Sequence, residues 1–221
     1  MTLKQVASAA RKDVGHVLQH AVAMHGDFAV RCPARCDKTV ISESGLYISD
    51  RGYKWIYVIT GTQGLVTIYP LLWWVTRKGS CALQVDAEGP AAFFQEHVTD
   101  RYIVRYVKRG DLFHAMRTFH EFNYAKASQP CDYQHHEETY AAVIDNGYVA
   151  GQLQPDEAIV FYHTFYDKKA GEKRFGHLRP AAEWQLAMHG ASFEHLGRRD
   201  TPHYAWGRGY PVKPEWWTRA A

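Results

Sequence analysis

Thirteen histidines in a chain of 221 residues direct attention first to acid–base chemistry. The densest group is His135-His136-Glu137-Glu138, with Tyr140 just after it and His163 on a later segment. An imidazole and a carboxylate on one helix face can pass a proton to and from a substrate if they line a cleft. His135, His136, Glu138 and His163 are therefore the candidate acid–base set. The competing account is a polar helix start, where Glu137 and Glu138 complement the positive end of the dipole. It is preferred, because no nucleophile accompanies the group.

Metal binding is the second chemistry to consider. Cys32 and Cys36 form one pair with three residues between them, and Cys131 and His135 form another with the same spacing. Two ligands from each of two distant segments would complete a tetrahedral structural zinc site. The spacing is looser than a zinc knuckle, Pro33 constrains the first pair, and a disulfide or unrelated thiols explain Cys32 and Cys36 equally well. Four cysteines are too few for a disulfide-stapled scaffold of this size. The sequence contains no serine elbow, phosphate loop, dinucleotide glycine motif or HExxH helix, and His97-Val98-Thr99 has no second copy. No catalytic, cofactor-binding or metal residue is assigned.

The elements that would carry these groups read as mainly helical. Leu3, Ala7, Ala10, Val14, Val17, Ala21 and Met24 recur in steps of three and four, one apolar stripe of an amphipathic helix over 1–26 that Gly26 stops. Pro33, Gly45, Asp50 and Gly52 punctuate 27–54, which reads as an irregular connector. From Trp55 to Thr76 no charged residue occurs, with Lys54 before the run and Arg77-Lys78 after it. As a helix this run would reach about 33 Å, enough for the roughly 30 Å bilayer core. Trp55, Tyr57, Trp73 and Trp74 mark its two ends, as interfacial aromatics do. The run is read as a single transmembrane helix; the alternative is a soluble α+β protein with a buried hairpin at 55–76, turning at Gly61–Gly64.

The region 77–196 is expected to hold short helices: one begun by Pro90, one capped by Asp111 over 112–126, one over 135–146, one from Pro155 to Lys169 and one from Pro180 to His189. Residues 197–221, rich in Gly, Pro and large aromatics without a period, read as an extended interaction tail that lies against another subunit.

Charge is mildly basic, with a formal net charge of +3, and no cationic run exceeds pairs such as Lys108-Arg109, which argues against nucleic-acid binding. The first dozen residues carry Lys4, Arg11 and Lys12 without an acid and resemble an organelle-targeting segment. Together these features are read as a non-catalytic accessory subunit of a membrane complex. A mitochondrial respiratory or ATP-synthase complex of the inner membrane is the setting, with neighbouring subunits and the lipid bilayer as partners. The rival reading is an α+β hydrolase or effector that uses the His/Glu cluster.

Overall fold

The computed structural model describes residues 2–31, 41–62, 65–87, 90–107, 110–124, 127–131, 140–144, 146–154, 156, 158–180 and 209–212. In chain order its elements are α1 (Leu3–Met24), α2 (Phe28–Arg31), β1 (Ile41–Ile48), β2 (Lys54–Thr62), β3 (Leu65–Thr76), β4 (Gly79–Gln84) and β5 (Ala91–Phe94). They continue with α3 (Glu96–Tyr102), a π-helical turn (Ile103–Val107), α4 (Leu112–Asn123), β6 (Ala127–Pro130), β7 (Tyr140–Ile144), β8 (Gly147–Gln154), β9 (Ile159–Asp167), α5 (Lys168–Phe175) and β10 (Tyr210–Pro211).

The uncharged run is a hairpin rather than a span. Strand β2 pairs antiparallel with β3 in a register that sets Lys54 opposite Trp73 and Thr62 opposite Leu65. No described helix is long and apolar enough to cross a membrane, so the transmembrane helix, the lipid partner and the mitochondrial inner-membrane and respiratory-chain placement lose the observation they rested on. The cause is burial on both sides: Trp55, Tyr57, Ile59, Ile68 and Leu72 pack towards α1, while Ile56, Leu71 and Trp73 pack towards α3 and α4. A protein interior and a bilayer make the same demand on side chains, and an apolar run meets either. The flanking cations are turn residues: Arg77 and Lys78 form the tight connection to β4. Pro70 falls between the last β3 residue registered with β4, Leu71, and the first registered with β10, Ile68. No neighbour is registered there on that side, the kind of position where a strand tolerates proline.

The fold is mixed α/β, not mainly α. Nine strands form one sheet in the order β1-β2-β3-β4-β5-β9-β8-β7-β6, and β10 adds to β3. All neighbours are antiparallel except β5 and β9, which run parallel with Ala91 beside Ile159. The sheet is thus two meanders joined by their last strands, each last strand leading directly into a helix. One core draws Ile56 from β2, Ala92 from β5, Val160 from β9 and Ala142 from β7 around Met116 and Phe119 of α4, so the sheet curls around α3 and α4. On the opposite face of β7 and β8, Phe175 and Leu178 cover Ala141, Val143 and Ala150.

Several expected helices are strands. The segment after Pro90 gives β5 before α3 begins, Tyr140–Ile144 is β7, and most of Pro155–Lys169 is β9. In β9 the sequence IVFYHTFYD is almost wholly β-branched or aromatic, the composition that packs best on a pleated surface. The charges read as the end of a helix, Lys168 and Lys169, instead open α5. Asp111 caps α4, its side chain accepting a bond from the His114 amide. Residues 181–208 lie outside the described residues, and with them all but Pro180 of the expected Pro180–His189 helix. Residues 209–212 of the tail lie on the chain's own sheet: the Val212 amide bonds to the Val66 carbonyl, and the Tyr210 hydroxyl donates to the Asp86 carbonyl at 3.1 Å.

Helix α1 follows the apolar stripe and starts in a capping box, Thr2 with Gln5. It lies across β2 and β3 with Ala10, Val17 and Ala21 fully buried. Within its buried stripe sits a carboxylate, Asp13, only 4% exposed. The indole Nε1–H of Trp55 donates to its Oδ2 at 2.9 Å, so helix and sheet meet at a fixed point along their lengths. Asp13→Ala leaves that buried indole N–H without an acceptor and is expected to cost about 1–3 kcal/mol, or a fall in Tm of about 2–4 °C per kcal/mol for a chain of this size. Asp13→Asn, which keeps an acceptor, should lose distinctly less when both are followed by thermal denaturation.

Candidate active site

The C-terminal end of α1 delivers His25 to the edge of the sheet. Its neighbours come from β1, β2 and α2. Glu43 Oε2 lies 2.6 Å from His25 Nδ1, and the Tyr57 hydroxyl lies 3.3 Å from His25 Nε2. A carboxylate only accepts, so Nδ1 carries the proton and donates to Glu43. In the neutral ring Nε2 then presents its lone pair to the Tyr57 O–H. The other carboxylate oxygen, Oε1, accepts from Arg31 at 2.5 Å, and Arg31 Nε also reaches Asp27 Oδ2 at 2.9 Å.

Each of these side chains is placed by an element. Glu43 comes from the β1–β2 register, which sets it opposite Ile59 and sets Gly45 opposite Tyr57. Gly45 is required there because a Cβ at that position would lie 2.2 Å from the Tyr57 hydroxyl oxygen. Aromatic edges complete the enclosure, with His25 and Tyr57 rings T-shaped at 5.7 Å and His20 against Tyr47 at 4.9 Å.

The electrostatics separate the acid from its partner. The hydrogen bond from Arg31 holds the Glu43 carboxyl below the usual carboxylate range, and the bond from His25 adds to it despite partial burial. Burial pushes the Tyr57 hydroxyl up to about 12, with the Glu43 charge acting in the same direction. At neutral pH the arrangement is therefore a fixed carboxylate, an imidazole oriented by it and a protonated phenol. That order, an orienting group, a base and a hydroxyl within hydrogen-bond reach, is the logic of an activated acid–base pair. The His25 side chain is 15% exposed and Glu43 34%, whereas Tyr57 is buried, so a reacting group reaches the pair from the His25 side.

The residues singled out from the sequence fare differently. His135, His136 and Glu138 lie outside the described residues, as do Cys32 and Cys36. Cys131 is buried against Ala141 and Phe175, and no group of three or more metal-ligating side chains is found among the described residues. His163 lies in β9 where the register with β8 slips: Ala150 faces Thr164 and Gly151 faces Tyr162. His163 is the extra residue of this β-bulge, half-buried, with Nδ1 3.1 Å from the Thr164 hydroxyl. Gly151 permits the bulge, since a Cβ there would meet the Phe161 carbonyl at 1.8 Å. The structure does not bring His163 to His25.

Other reactive groups are committed elsewhere. Burial, aided by Glu96, pushes the Cys81 thiol up to about 12, so it is no nucleophile at neutral pH. His120 is a core histidine whose Nε2–H donates to the Tyr69 carbonyl at 2.7 Å. Sequence reading missed His25, Glu43 and Tyr57 because nothing links positions 25, 43 and 57 until β1 is known to pair with β2. The available signal was the histidine that ends the apolar stripe of α1. Comparison with protein-family models, with curated proteins and with solved structures gives no match.

Because Glu43 is held below its ordinary value in the folded chain, its contribution is complete above about 4.5, the ordinary carboxylate value. It is lost as pH falls through the lower folded value. Glu43→Gln should therefore be less stable than the parent at pH 7, and the gap should close in urea denaturation series carried below pH 4.5. A gap that stays constant to the lowest pH at which the chain folds would show that Glu43 is not paired as described.

Proposed function

We propose that this α+β chain is a hydrolytic enzyme of the acid–base type, with His25 as general base and acid, Glu43 as the group that orients it, and Tyr57 as the buried hydroxyl that holds Nε2 in the resting state. The observation that carries the reading is the continuous chain Glu43–His25–Tyr57, in which the Nδ1 bond of 2.6 Å fixes the tautomer that frees Nε2. A water or hydroxyl that displaces the long Tyr57 contact at Nε2 meets the lone pair of the ring, which can take its proton. The imidazolium then returns that proton from Nε2 to the departing oxygen, and the buried Tyr57 hydroxyl restores its bond to Nε2 when the product leaves. This keeps the hydrolase reading while moving its residues from the His135 region to the β1 edge.

A non-catalytic binding role is the second reading, favoured by apolar side chains left exposed along the π-turn and the start of α4, Val104 at 76% and Leu112 at 37%. In that reading the His25 bonds only tie α1 to β1.

Hydrolysis of p-nitrophenyl acetate and p-nitrophenyl phosphate by the full chain tests the choice. His25→Ala should lower kcat/KM on the ester that is turned over by about 10²–10⁴-fold, the range of a general acid–base group. Turnover by His25→Ala equal to the parent, or a parent no faster than free imidazole at equal concentration, would remove the enzymatic reading.

A further inference from the structure

The sheet ends in two unequal edges. Among the described residues β6 closes one end and β1 the other, and each pairs with a single neighbour. Strand β6 has four residues and finishes in Pro130, which has no N–H to offer. Strand β1 has eight, and it keeps an unbroken register with β2 from Ile41 opposite Gly61 to Ile48 opposite Lys54. It holds no proline, no lysine and no bulge, the devices that usually blunt an edge. Alternate residues of an antiparallel strand aim their N–H and C=O groups to the same side, so about four of each face outward from β1. Among the described residues no backbone bond meets them there.

The one charge on β1 is turned away from the edge. Glu43 points to the α1 face, where His25 Nδ1 lies at 2.6 Å and Arg31 Nη1 at 2.5 Å, so a strand laid alongside meets no uncompensated carboxylate. On the α4 face the Ser44 hydroxyl donates to Glu121 at 2.5 Å and accepts from Arg117 Nε at 2.8 Å, which ties the middle of the strand to the helix. Past that tie, on the same face, Leu46 is 39% exposed and Ile48 55%. A neighbour in the plane of the sheet would cover both.

A copy of β1 meets these conditions. Antiparallel pairing of a strand with itself sets a two-fold axis perpendicular to the sheet, an isologous contact that closes as a dimer. The axis keeps each face on its own side, so Leu46 and Ile48 of both copies meet on the α4 face, while both Glu43–Arg31 pairs lie on the α1 face with their charges already matched. A strongly charged partner finds no free counter-charge on this strand, whereas a copy brings the same neutral, half-apolar one. We infer that β1 is a self-pairing edge through which two copies of this chain join their sheets. At 3.4 Å per residue the shared ladder reaches roughly 27 Å, a narrow contact beside interfaces of standard size, so the dimer is reversible. The inference does not rest on the hydrolytic reading, and association is measured without turnover.

Sedimentation velocity of the full chain from about 1 to about 500 μM should show monomer giving way to dimer as concentration rises. Leu46→Lys and Leu46→Glu each set like charges near the two-fold axis at an exposed position, and each should weaken self-association at least about tenfold. Mixed in equal amounts, the two variants should regain the dimer of the parent, because opposite charges then face each other; circular dichroism and thermal denaturation check that both are folded. A parent that stays monomeric throughout would overturn the inference and leave the edge to a different strand. A dimer unchanged in both variants, or a mixture no more associated than either variant alone, would overturn it as well.

Discussion

Strands β2 and β3 carry buried apolar or aromatic side chains from Trp55 to Ile59 and from Ile68 to Trp73, so water has to be excluded from both sides of one hairpin. Burying a large apolar side chain fully is worth about 1.5–3 kcal/mol, and with so many on two faces no arrangement that leaves either side wet can compete. Helix α1 covers one face. The other is closed by α3 and α4, which the far meander of the sheet curls round to enclose. The topology follows from that requirement: a second set of strands is needed to shield the helices that shield the first.

Covering a sheet with a helix still leaves freedom to slide. The Asp13–Trp55 bond removes it, because a buried carboxylate with one specific indole donor has a single satisfactory position. The consequence reaches both ends of the helix. Its first turns place Val6 beside Tyr53, Leu72 and Trp74 in a cleft at the strand ends, and its last residue before Gly26, His25, meets Glu43 and Tyr57. A polar contact in the middle of a core thus sets the geometry of two surface features that share no residue with it.

Helices α1 and α4 were legible because their signals are local: an apolar stripe of period 3.6 for the first and an Asp N-cap for the second. The hairpin was visible only as an alternative, since an uncharged run reports an apolar environment without saying whether lipid or protein supplies it. In β9 the end charges point to a helix, whereas seven of the eight residues of IVFYHTFY are β-branched or aromatic and decide for a strand. The candidate site was least legible of all. Glu43 stands in a segment read as a connector, and its value depends on pairing with β2, on the glycine that admits the Tyr57 ring and on the docking of α1, all of which are long-range. Asp13 was the exception that could have been caught: a carboxylate three residues after Ala10 and four before Val17 lies in the buried stripe and calls for a donor.

The two meanders are built from neighbours in sequence, whereas the parallel seam between β5 and β9 joins Ala91 to Ile159. Contacts between distant segments are made only after loop-closure entropy has been overcome, and they slow folding relative to local pairing. Each half can therefore assemble its antiparallel ladder before the seam closes, and during that interval AAFF of β5 and IVFYHTF of β9 present open strand edges that are apolar and aromatic. Unpaired edges of this composition accept any strand of suitable pattern. The seam that completes the sheet is also where a partly folded chain is most exposed to pairing with another copy of itself, and the outcome of refolding turns on concentration as much as on stability.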